Sequence, residues 1–152
     1  MRTTFFALAS SLLLAATPAS HAEPSWLTVV GDPANPGADT VQVDATSAVA
    51  FDAMRMVRLR ANRSSARTAG DGKPYRSYIS QVMINCQEKS AWHRSISLFN
   101  DPLWKGQLRM VDYKEGDDRN LAFAEMPADP KGRLIKAACA IALQPGGGNS
   151  PP

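Results

Sequence analysis

Histidine is scarce in this chain, with two in 152 residues. One of them, His21, falls in an N-terminal leader, so any Ser-His-Asp or Cys-His arrangement would have to use His93. No Gly-x-Ser-x-Gly, His-Glu-x-x-His or complete phosphate-loop pattern occurs. Gly70-Asp71-Gly72-Lys73-Pro74 has the residue types of a phosphate loop, but the glycine spacing is wrong and proline follows the lysine. Cysteine is equally sparse, at two residues, too few for a thiolate metal site once they bond to each other. No apolar run approaches the roughly 20 residues of a membrane-spanning helix, and there is no internal repeat. Together these absences argue against an enzyme, a resident metal or cofactor, and a transmembrane segment.

What is present begins with an address. Met1-Arg2 is a basic start, Phe5 to Ala16 is apolar and small, and Ser20-His21-Ala22 is a small-x-small cleavage site. Residues 1–22 therefore read as a cleaved signal peptide, with export to the periplasm, the cell surface or the medium. No cysteine lies at the cleavage point to carry a lipid anchor. The remainder is enough for one domain, placed at residues 26–142, followed by a Pro/Gly/Asn/Ser tail over 143–152 that lacks the apolar content to fold. In an exported chain two cysteines suit one disulfide, Cys86 to Cys139, with two free buried thiols as the alternative. The charge is 17 basic against 14 acidic residues, a net +3 with the signs interleaved. Export and interleaving both argue against a nucleic-acid partner.

The stretch from Tyr75 to Leu98 organises the rest. Read with a period of two, Tyr78, Val82, Ile84 and Cys86 share one face, and Ile79, Gln81, Met83 and Asn85 the other. A second alternating run from Trp92 follows a polar break at Gln87 to Ser90, so the two form a hairpin. Upstream, Trp26 to Val30, Thr40 to Thr46 and Met54 to Asn62 read as strands, with a loop from Gly31 to Asp39 and another from Ser64 to Pro74. Leu108 to Tyr113 is a further strand. The alternation is that of an antiparallel sheet with one wet face. Asp129-Pro130 starts a helix, an N-cap acceptor followed by proline where its missing donor costs nothing. Leu134, Ala138, Ile141 and Ile135, Cys139, Ala142 then recur at helical spacing, which turns Cys139 toward the sheet. Lys131, Arg133 and Lys136 sit in its early turns, where the helix dipole slightly disfavours positive charge; no folding role accounts for them.

Candidate binding residues come from the basic strand. Arg58, Arg60 and Asn62 share a face, and Arg63 and Arg67 continue the charge into the following loop, a row suited to sulfated or phosphorylated polymers. The competing reading is a solvated face whose arginine stems cover apolar surface. On the binding reading, reversing Arg58 and Arg60 would abolish anion retention with little thermal cost. Trp92, Phe99 and Trp104 are the aromatics with least assured burial, and Trp92 joins the binding set as an interface candidate. Glu115, Asp117 and Asp118 lack calcium-loop spacing and read as a solvated turn. Asn62-Arg63-Ser64 has the form of a glycosylation sequon. His93 reads as a strand-surface or hairpin residue.

In this order, the pieces resemble the surface-adhesin protein E-like domains of exported Gram-negative bacterial proteins. They are Trp26 with Val30-Gly31, Thr40-Val41-Gln42-Val43-Asp44, Val57-Arg58-Leu59, Tyr75-Arg76-Ser77 leading to Asn85-Cys86, and a late helix carrying Cys139. The resemblance implies an α+β fold: a curved antiparallel sheet of about six strands, a C-terminal helix on one face, and the disulfide as its pin. It also implies binding rather than catalysis, with a protein or anionic glycan ligand of the host matrix or serum. Ser90-Ala91-Trp92-His93 departs from the family pattern. The alternative is a periplasmic accessory or inhibitor protein that binds a bacterial enzyme or envelope component. Open sheet edges would also permit a homodimer by strand pairing.

Overall fold

The computed structural model describes residues 23–113, 121–123, 125–126 and 129–143. The leader, the acidic residues Glu115, Asp117 and Asp118, and the tail beyond Leu143 lie outside the described residues. Strands β1 (Trp26–Val30) and β2 (Thr40–Asp44) are followed by a 3-10 turn over Ala45–Ser47 and a short β3 (Val49–Phe51). Then come β4 (Met54–Thr68), β5 (Pro74–Asn85), β6 (Ser90–Phe99), β7 (Leu108–Asp112) and helix α1 (Pro130–Ala140).

All seven strands join one antiparallel sheet in the order β1-β2-β4-β5-β6-β7, with β3 paired to β4 beyond the end of β2. The seventh strand, absent from the sequence reading, is β3, too short to show alternation. A second difference is the length of β4. Its polar end, read from sequence as loop, stays in the sheet because pairing resumes at Arg67 opposite Tyr75 after a register shift. The connection to β5 is correspondingly a tight turn.

One face of the sheet carries the core. Val41, Val43, Leu59, Val82 and Ile84 are fully buried, and Leu134, Ile135 and Ala138 of α1 close over them. Each such side chain contributes about 1.5–3 kcal/mol through the apolar surface it removes from water. Leu121, Phe123 and Met126 bury beside them in irregular chain, with the Leu121 amide donating to the Ala91 carbonyl at 2.8 Å. The helix is fixed at both ends. Asp129 caps it, accepting from the Gly132 amide at 3.2 Å, and Arg55 donates to the Ala138 and Ile141 carbonyls at 3.1 and 2.5 Å. Between these ends Cys139 is bonded to Cys86, with Cα atoms 5.9 Å apart.

Two residues differ in setting from the sequence reading. His93 faces the helix side, between the Tyr78 and Tyr113 rings, with Nδ1 2.6 Å from Ser80 Oγ. Burial pushes its pKa down to about 4. Asn62, the sequon asparagine, is fully buried, and its amide donates to the Pro36 and Ala38 carbonyls at 3.2 and 2.7 Å. Its nitrogen is inaccessible to a modifying enzyme in the folded chain.

Candidate functional site

Residues opposite one another in antiparallel strands project to the same side, so the register lays out the helix-free face row by row. One row runs Thr28, Gln42, Arg60, Ile79, Ser97, Met110 from β1 to β7. The next begins at Trp26 and Asp44 and continues through Arg58 and Gln81 to Ser95 and Asp112. Among the described residues no helix covers these rows. At the β7 edge Leu108 and Met110 are 52% and 67% exposed, giving this face an apolar flank.

At its centre lies Arg60. The guanidinium carbon sits 4.1 Å from the Trp26 ring centroid and 3.9 Å from that of Trp104, so the cation is clasped between two indoles. Cation–π attraction of this kind is worth about 0.5–2 kcal/mol per ring. Its Nε donates to Gln42 Oε1 at 2.7 Å, and Gln42 in turn donates to Thr28 Oγ1 at 3.1 Å. Burial between the rings pushes the Arg60 pKa below its ordinary value, against the opposing pull of Asp44.

Trp104 is placed by a strained loop. Leu103 and Trp104 both have left-handed backbone, φ 55° and 60°, a region that non-glycine residues occupy at a cost. Two buried polar side chains hold them there. The Leu103 amide donates to Asn62 Oδ1 and the Trp104 amide to Ser77 Oγ, each at 2.9 Å, while Ser77 donates to the Asp101 carbonyl at 2.7 Å. Asn62 thus ties the β1–β2 loop and the β6–β7 loop to one point of β4, and the second indole is delivered over Arg60 as a consequence.

Beside this clasp Arg58 is committed to Asp44. Its Nε and a terminal nitrogen donate to one carboxylate oxygen at 3.1 and 2.5 Å. The Asp44 side chain is fully buried while that of Arg58 is 42% exposed, so the ion pair has one dry and one wet partner. Burial alone would raise the Asp44 pKa. The Thr46 hydroxyl, Arg58, and the Thr46 and Ser25 amides outweigh it and hold the carboxyl below its ordinary value.

Residues 26–140 match the surface-adhesin protein E family. The chain belongs to that family. Two solved structures of Haemophilus influenzae protein E are similar to this adhesin-family chain. The crystal form II structure has 11% identity and a TM-score of 0.44, over 66% of this chain and 80% of that one. Protein E from the non-typeable organism has 12% identity and a TM-score of 0.45, over 85% and 88%. No curated protein matches the chain. Membership of an adhesin family makes this a surface-adhesin-like binding protein, and no helix among its described residues is long and apolar enough to cross a membrane.

Within this adhesin-family domain the sequence-derived candidates separate into three places. Arg58 and Arg60 lie together on the helix-free face. Arg63 is buried, 3.3 Å from Asp39, and Arg67 pairs with Glu125, so both leave the row. Trp92 is on the helix-free face near its other end, opposite Met83. Beside it a cavity of about 230 Å3 runs from Phe51, Met54, Met83, Trp92 and Arg94 to His93 and Tyr113 at the edge of the sheet. In the sequence Trp26 reads as a strand residue and Trp104 as an aromatic of unassured burial. Their union around Arg60 depends on the β1–β2 register and on the loop tie at Asn62, neither of which leaves a local pattern in sequence.

Proposed function

We propose that this protein is an exported binding module that holds a protein ligand of the extracellular-matrix or serum type on the helix-free face of its sheet. The observation that carries the reading is the Trp26–Arg60–Trp104 clasp. Tryptophan and arginine are the residue types that most often dominate protein interfaces, and they do so when held rigid in a partly desolvated setting. A pre-ordered guanidinium loses less freedom on binding than a free one. The apolar flank at Leu108 and Met110 extends the area to be buried, and the mixture of apolar and hydrogen-bonding groups suits a protein surface.

The proposed roles are distinct. Arg60 is the anchor, Trp26 and Trp104 orient it and supply contact area, and Trp92 contributes at the far end of the same face. Arg58 serves mainly to satisfy Asp44, and Arg63 and Arg67 serve the fold. The experiment is retention of residues 23–152 on immobilised matrix and serum proteins, comparing the parent with Arg60→Ala and Trp104→Ala. Saturable retention that falls on the order of tenfold in each variant is expected, as for a central anchor. Equal retention by parent and variants would move the ligand off this face.

A further inference from the structure

On the other side of the molecule, three lysines surround an open cavity of about 600 Å3. Lys89 comes from the β5–β6 turn, and Lys131 and Lys136 from α1, with the Cys86–Cys139 bond and Ile135 also lining the cavity. We propose that this trough is a binding site for a sulfated or phosphorylated saccharide, separate from the helix-free face.

The lysines have no evident structural task. No ion pair involves any of them among the described residues, whereas Arg58, Arg63, Arg67 and Arg109 all face carboxylates. Among the described residues the acidic one lining the trough is Asp129, and its carboxylate accepts from the Gly132 amide at the helix cap. Lys131 lies in the first turn of α1, where the helix dipole disfavours positive charge, and Lys136 lies just past the midpoint, short of the last turn where a cation would be favoured. Lys89 adopts φ 54° in a turn position that glycine or asparagine would take at lower cost. A long cationic side chain is nevertheless present at all three positions.

The disulfide makes the convergence possible. Lys89 follows Cys86 by one short turn and Lys136 precedes Cys139 by one helical turn, so the bond fixes cations of distant sequence across one gap. The chemistry of the walls selects the ligand class. A bare inorganic ion would gain nothing from Ile135 and the sulfur pair. A sugar ring sets its C–H face on such a floor while its sulfate or phosphate esters reach the ammonium groups at the rim. The arginines of the helix-free face suit such a ligand less, because Arg58 is already paired with Asp44 and the indoles flanking Arg60 favour a less charged surface.

The test is binding of a heparin-derived hexasaccharide to disulfide-intact residues 23–152, by calorimetry across a salt series. A Lys89→Gln, Lys131→Gln, Lys136→Gln variant and Arg60→Ala are compared with the parent, and de-sulfated hexasaccharide serves as the second probe. The inference expects salt-sensitive binding by the parent and by Arg60→Ala. It expects affinity on the order of tenfold weaker in the lysine variant with a shallower salt dependence, and none for the de-sulfated probe. Full binding by the lysine variant, equal binding of the de-sulfated probe, or no binding by the parent at low salt would each overturn it. Loss only in Arg60→Ala would place the saccharide on the opposite face and equally overturn it. Retention on matrix proteins is read in a separate experiment, so either site can fail alone.

Discussion

The arginines of the helix-free face and the lysines beside the disulfide are two basic regions with opposite internal economies. Arg58 ends on a fully buried carboxylate and Arg60 between two indoles. Lys89, Lys131 and Lys136 end at an open cavity with no ion pair to any described residue. Positive charge counted along a chain therefore does not measure positive charge available to a ligand. In this fold the more conspicuous cluster is largely engaged by the fold's own groups, and the sparse lysines gathered by a covalent bond have no ion pair among the described residues. Saccharide binding should respond to the three lysines and not to the arginines, and stability to Arg58 and its partner more than to the lysines.

The largest stability effect should come from the bond that builds the lysine trough. It closes a separation of 53 residues, for which loop-closure entropy gives about 4 kcal/mol. Cys86→Ser with Cys139→Ser should lower stability by that order in chemical denaturation. A loss well under ~1 kcal/mol would mean that the core alone orders the helix.

Next is the buried end of the arginine pair. Asp44→Ala should cost about 2 kcal/mol or more, since it leaves the Ser25 and Thr46 amides and the Arg58 fork without their acceptor. Arg58→Glu should also be costly, because it sets a second carboxylate against a buried one. The Arg58–Asp44 pair thus leads to a different prediction from the sequence-based expectation that Arg58 and Arg60 can both be reversed with little thermal cost. The same carboxyl gives a pH signature. Its folded pKa lies below the ordinary value of 3.8, so its contribution is complete above that value and is lost as pH falls through the folded pKa.

A second titration separates the two faces. Buried His93 resists protonation until about pH 4 in the fold, whereas the unfolded chain takes up its proton near 6.5. Stability should therefore fall as pH drops from about 6.5 to about 4, before Asp44 titrates. His93→Gln, measured by denaturation at several pH values, should flatten the curve in that interval and leave the steeper loss below about 4. An unchanged slope would assign the interval to other groups.

The smallest effects complete the contrast. Arg60→Ala should cost about 1.5 kcal/mol, the lower end of what two ring contacts and one hydrogen bond supply. Lys131→Gln with Lys136→Gln should stay within roughly 0.5 kcal/mol of the parent, as expected of charges at the surface with no ion pair among the described residues. A marked loss in the lysine variant would show that these residues hold the helix and would erase the difference between the regions.

Much of the framework was legible in sequence because it rests on local periodicity. The Tyr75–Leu98 hairpin, the Val57-x-Leu59-x-Ala61 face and the Asp129-Pro130 helix start each state their geometry within a few residues. The Cys86–Cys139 bond followed from export together with the placing of both cysteines on inward faces. The parts that escaped depend on distant pairing. The three residues of β3 are too few to alternate. The polar end of β4 is held by cross-strand bonds rather than by an apolar pattern. Asp44 reads as an outward polar residue of its strand, and only the approach of Arg58, Thr46 and Ser25 makes its burial tenable. The site was half visible: Arg58 and Arg60 stood out as a row. What each arginine faces was set by Trp26, Trp104 and Asp44, which no spacing rule links to them.

The most direct test of the account is the affinity of residues 23–152 for an immobilised matrix or serum protein that retains the parent. It is measured side by side for the parent, Arg60→Ala with Trp104→Ala, and the three-lysine variant, with each chain's folding verified first. The account predicts affinity on the order of a hundredfold weaker for the Arg60/Trp104 variant and unchanged affinity for the lysine variant. Undiminished binding after loss of the clasp would contradict it.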